Sequence, residues 1–121
     1  MTIAIDSTTR KLQFVLAESS SAGAVVSIVT FFRQTANSEQ PIRAGIQVAA
    51  SNHITDVDAL DLPAQNETKV VANWNLYNGD NVDHTVSALL DDNGTNRLLK
   101  KKLLAAGEAL TYEDGAGWDI L

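Results

Sequence analysis

Cysteine is absent from this sequence, which excludes a disulfide framework and a thiolate metal site. Packing, hydrogen bonds and partner subunits must hold the fold instead. Positive charge is scarce: nine Lys and Arg stand against fifteen Asp and Glu, for a net charge of −6. Nucleic-acid affinity rests on cations that neutralise phosphates, so direct nucleic-acid binding is not expected. No apolar run approaches the roughly 20 residues that cross a bilayer, and no membrane partner is expected. Met1 to Asp6 lacks a basic stretch leading into an apolar core, so it does not read as a secretory signal. Catalytic signatures are missing as well. His53 and His84 belong to no His-Glu-x-x-His or paired-histidine pattern. Nothing matches Gly-x-Ser-x-Gly, Gly-x-x-x-x-Gly-Lys or Gly-x-Gly-x-x-Gly. Carboxylates scattered through turns cap local amides rather than transfer protons. No enzyme, catalytic residue or cofactor is expected.

What is present is a succession of short β-strands in a chain the size of one domain, residues 1–121. A chain of this length buries about two-thirds of its unfolded surface, enough for a core without staples. Leu12, Phe14 and Leu16 alternate with Lys11, Gln13, Val15 and Ala17, the period of a strand. Ser19 to Gly23 then forms a small-residue connection. Val25 to Phe32 is an almost unbroken β-branched and aromatic run, the composition of a central strand buried on both faces. Arg33 to Pro41 reads as a loop, and Ile42 to Ala50 as a strand with Ile42, Ala44, Ile46 and Val48 on one face. Asp56, Asp58 and Asp61 lie in a row, yet no central Gly follows and no Glu closes a calcium loop. They read as a solvated turn anchored by Leu60 and Leu62, followed by a loop from Pro63 to Glu67, with no metal bound.

The last third is the most regular. Val70, Ala72, Trp74 and Leu76 alternate with Lys69, Asn73, Asn75 and Tyr77, with Val71 as the exception. Asn78, Gly79, Asp80 and Asn81 supply a turn into a strand with His84, Val86, Ala88 and Leu90 on one side, a hairpin pattern. A second hairpin is read at Asn93-Gly94, because a type I′ turn needs positive φ at both central residues. Its returning strand is Arg97 to Leu104. A turn at Ala106, Gly107 and Glu108 leads to Leu110 and Tyr112 on one strand face. Asp114 to Gly117 then delivers Trp118 into a last strand.

These residues also carry a resemblance. The Asn-rich turn, the Asn93-Gly94-Thr95-Asn96-Arg97 hairpin, the run from Leu104 through Gly107-Glu108 and Leu110 to Tyr112, and the closing Asp114-Gly115-Ala116-Gly117-Trp118 resemble a group of small virion proteins encoded by tailed bacteriophages. The likeness covers residues 70 to 121 and, more loosely, Ser7 to Leu12 with the strand that follows. Residues 33 to 66 carry none of it.

Seven or eight short strands with no helix point to an all-β fold, an antiparallel β-sandwich or a small barrel ending in a β-meander. The resemblance implies a non-enzymatic virion protein, assembled in the host cytoplasm. Its role would be that of a capsid decoration or cement protein, a homotrimer whose partner is the major capsid protein. Arg97, Lys100, Lys101 and Lys102 form a basic strand that either protects a sheet edge or docks on an acidic shell surface. Trp74 and Trp118 are expected in the core, where rings of this size dominate a small β-domain. The alternative is a neck, tail or fibre part that binds carbohydrate through exposed Trp and Tyr rings. A non-viral adhesion domain is a third reading, for which a secretion signal would be expected.

Overall fold

The structure is a computed structural model, and it describes residues 2–35 and 43–121. The described residues form ten strands: β1 (Ala4–Ile5), β2 (Arg10–Leu16), β3 (Val25–Thr35), β4 (Arg43–Ala50), β5 (Val57–Leu60), β6 (Glu67–Asn78), β7 (His84–Asp92), β8 (Thr95–Leu104), β9 (Ala109–Glu113) and β10 (Gly117–Ile120). The larger sheet runs β10-β9-β6-β3-β4, with β1 added beside β6; the smaller runs β5-β2-β7-β8. Every pairing is antiparallel. The two sheets pack face to face as a sandwich and do not close into a barrel.

The core lies between them because alternation brings one face of each strand inward. Leu12, Phe14 and Leu16 from β2 meet Val25 and Val29 from β3, Trp74 and Leu76 from β6, and Leu110 and Tyr112 from β9. The indole of Trp74 is fully buried, and its N–H donates to the Ser27 hydroxyl at 2.9 Å, so its one polar atom is satisfied.

Several sequence expectations change here. β3 is central to its sheet but buried on one face only. Val25, Ser27, Val29 and Phe31 point inward, whereas Ile28 is 40% and Phe32 45% exposed. An antiparallel sandwich covers one face of each sheet, so an unbroken apolar run leaves half its side chains outside. Arg33 to Thr35 continue this strand rather than opening a loop; the rest of that expected loop and Ile42 lie outside the described residues. In β4 the face of Ala44, Ile46 and Val48 is the solvent face, with Ile46 70% and Val48 62% exposed. Gly45 faces inward against the Phe31 ring. Within 51–66, Val57 to Leu60 form a strand whose Leu60 is buried, while Leu62 is exposed.

β6 explains its own exception. A bulge at Ala72 shifts the register, with Phe31 opposite Val71 and Thr30 opposite Asn73. Lys69 and Val71 therefore point inward before the bulge, and Trp74, Leu76 and Asn78 after it. The bulge is also where β6 changes partner. The Ala72 carbonyl accepts from the Asp114 N–H at the end of β9, while the Val71 N–H donates to Ile3 beside β1.

The four C-terminal strands follow in the expected order but divide between the sheets. β6 and β7 belong to different sheets, so Asn78 to Asn81 is a corner between layers and not a hairpin turn. β7–β8 is a hairpin in the smaller sheet and β9–β10 one in the larger.

Candidate functional site

Three adjacent strands present an outward face without charge. On β4 it consists of Ala44, Ile46, Val48 and Ala50; on β3 of Val26, Ile28, Thr30 and Phe32. On β6, Val70, Asn73, Asn75 and Tyr77 continue the rows, because Val70 opposes Phe32 and Tyr77 opposes Val26. In a chain that is 20% charged, such a surface is conspicuous. Isolated exposed apolar residues are ordinary, but a contiguous set on neighbouring strands marks a contact surface. The face was hidden in the sequence because alternation shows that two faces differ without showing which one meets solvent.

The basic strand is β8, at the edge of the smaller sheet. Its cations do not form one patch. Lys100 and Lys102 oppose the buried Ala88 and Val86, so they share the inward side, whereas Lys101 opposes Ser87 on the outer side. Lys100 and Lys102 line an open cleft of about 160 Å³ with Leu110, Trp118, Asp119 and Ile120. Arg97 is exposed and lies 3.8 Å from Asp92, which Arg10 also contacts at 3.2 Å.

The residues that carry the resemblance have structural duties. Asn93 and Gly94 adopt φ of 52° and 89°, the two positive values that the hairpin turn needs. Gly94 is further fixed by its N–H donating to Asp91 at 2.9 Å. Gly107 and Gly117 also take positive φ at their turns. Tyr112 is buried, and its hydroxyl oxygen accepts from the Ile3 N–H at 3.0 Å across the whole chain. Burial pushes its phenol pKa up, with the Asp114 carboxylate adding to the shift. Trp118, half-buried at the mouth of the core, packs its ring 5.2 Å from Tyr112 and 5.7 Å from Trp74.

One polar cluster escaped the sequence reading. Asp80, in the corner between β6 and β7, accepts N–H groups from Ser21, Ala22 and Gly23 at 2.8 to 3.0 Å and from Asn81 at 2.8 Å. The buried His84 adds its Nε2 at 2.7 Å. The His84 bond and those amides hold the Asp80 carboxyl far below the ordinary carboxylate range, outweighing burial. Asn78 completes the corner by donating to the carbonyls of Val82 and Leu104 at 3.0 and 3.1 Å, which fastens the end of β8. The Asp-x-x-x-His spacing was visible, but the three amides that make it an anchor come from residues about 60 positions away.

The remaining candidates stay apart. Partial burial raises the Asp58 pKa, but hydrogen bonds from Gln13 and Lys11 outweigh it and leave the value lowered. Asp56 accepts from Asn96 at 3.0 Å. His53 sits exposed in a turn at φ 50°. Among the described residues no three His, Cys, Asp or Glu side chains converge as a metal site would require, and no helix is long and apolar enough to cross a membrane. Comparison with protein-family models, curated proteins and solved structures finds no match for the chain.

Proposed function

We propose that this protein is a non-enzymatic structural subunit that docks in many copies on a larger protein shell, as the phage decoration proteins it resembles do. The observation that carries this reading is the uncharged outward face of β3, β4 and β6. It offers Ile28, Phe32, Ile46, Val48 and Tyr77 to a partner while the core beneath is complete without one. Burying such side chains on a shell contributes roughly 25 cal/mol per Å² of apolar area. Repetition across a symmetric lattice lets a weak individual site hold by multiplicity. The shell partner is the major capsid protein, and the mechanical effect is to bridge neighbouring subunits against internal pressure. Docking through the apolar face replaces docking through the lysine strand, whose cations point to opposite sides of the sheet. The carbohydrate-binding reading has less to rest on, since Trp74 is fully buried and Trp118 stacks into the core mouth, which leaves Tyr77 as its exposed ring.

Copy number and location in purified particles test the proposal. Hundreds of copies spread over the head support it, and a few at one vertex overturn it. Replacing Phe32 and Val48 by Lys strips the protein from heads, while replacing Lys100, Lys101 and Lys102 by Ala leaves it bound. The reverse outcome returns the site to β8.

A further inference from the structure

The larger sheet ends at β4, and the chemistry of that edge differs from that of β5, β8 and β10, edge strands among the described residues. The Ser51 N–H donates to the Val25 carbonyl at 2.9 Å, which makes this a hydrogen-bonded pair. Because such pairs alternate along an antiparallel ladder, the odd-numbered residues of β4 bond to β3. The N–H and C=O groups of Ala44, Ile46, Val48 and Ala50 consequently face the open side, where no described strand pairs with them. Proteins protect such a row with short strands, prolines or charges. β5 and β10 are four residues long, and β8 carries Lys100, Lys101 and Lys102. β4 is eight residues long with Arg43 as its one charge.

We infer that β4 is the interface between two copies of this chain, which pair their β4 strands antiparallel about a two-fold axis and join their larger sheets into one. The symmetry restricts the register. The two outward faces must lie on the same side, so each residue meets one of the same parity. Placing Gln47 opposite Gln47 of the second copy uses the whole strand. Ile46 then opposes Val48 of the second copy and Ala44 opposes Ala50, each pair formed twice and each using the free backbone groups. Cross-strand pairs of β-branched side chains stabilise a sheet of this kind. Charge permits the pairing: Arg43 falls opposite Ser51, and the two arginines stand roughly 27 Å apart along the strands, well beyond the screening length of about 8 Å. The same operation on β8 would set lysines against lysines. The pairing closes on two copies, not on the three that the resemblance implies, and it needs no shell, so it stands independently of the docking proposal.

Sedimentation or light scattering over a dilution series gives the answer. Wild type has twice the 13.0 kDa chain mass. Ile46→Lys reduces it to the single-chain mass. Val48→Pro does the same while the far-UV spectrum and melting curve stay those of a folded sandwich, because the N–H it removes points away from β3. Gln47→Cys, in a chain without other cysteines, closes an intermolecular disulfide at the axis, whereas Val48→Cys does not. A wild type that is monomeric at every concentration, a trimeric mass, or a dimer that survives both Ile46→Lys and Val48→Pro overturns the inference.

Discussion

Strands β4 and β8 are both sheet edges, eight and ten residues long, and they are attached to the sandwich in opposite ways. β4 is nearly uncharged and is held from beneath, where the Phe31 ring covers Gly45 so closely that a side chain there would collide with it. The guanidinium of Arg33 and the ammonium of Lys69 lie 5.6 and 5.3 Å from that ring, adding cation–π contacts to the same anchor. β8 is exposed along most of its length; β7 pairs with it from Thr95 to Leu104, and at its end Asn78 and the Asp80–His84 corner secure Leu104. An edge anchored along its inner face can leave its outer face apolar for a partner. An edge whose outer side is open along ten residues needs charge to stay unpaired.

The difference can be broken from either side. The largest effect is expected for Asp80→Asn, which removes the charged acceptor of four amides and one imidazole and loosens the corner that holds β8. Its melting temperature should fall further than that of any other variant named here. The depressed Asp80 pKa means that this carboxylate stabilises the fold above its ordinary value of 3.8 and that the contribution is lost as pH falls below it. Wild type therefore loses stability in that acid range, and Asp80→Asn shows the same melting temperature on both sides of it as far as this group is concerned. Gly45→Val comes next. Its Cβ would stand 2.6 Å from Phe31 Cζ and 3.0 Å from Cε2, an overpacking that costs about 1–3 kcal/mol in denaturant unfolding. Lys101→Val, the matching change on β8, stays within about 0.5 kcal/mol. Replacing Lys100 and Lys102 together by Val makes β8 resemble β4, so light scattering rises at concentrations at which wild type stays clear. Arg97→Ala is the smallest, below about 0.5 kcal/mol, because its ion pair with Asp92 is loose and solvated.

What could be read without coordinates followed the same division. The hairpin at Asn93-Gly94 and the strands around Leu12 and Leu110 were legible because local φ requirements and strict alternation determine them. The uncharged outward face was not. Ala44, Ile46 and Val48 announced a face but not its outward direction, which Phe31 decides by filling the space over Gly45. Val71 broke the pattern of β6 because a bulge at Ala72 moves the inward set by one residue, and a bulge depends on the opposing strand. The Asp80 corner read as a hairpin because its residues suit any tight turn. Only the amides of Ser21, Ala22 and Gly23 make it a junction between layers. Local chemistry was visible, and chemistry supplied from a distant segment was not.

The bond from the Ile3 amide to the Tyr112 hydroxyl spans 109 positions of sequence. β1 pairs with β6 on the same edge that β9 pairs with further along, and the Tyr112 hydroxyl holds the amide of the residue before β1. Closing so long a loop carries an entropic cost that grows only slowly with its length. Folding dominated by such distant pairings runs on the millisecond-to-second scale. The burial of Ile3 and Ile5 therefore depends on segments far along the chain, in β6 and β9.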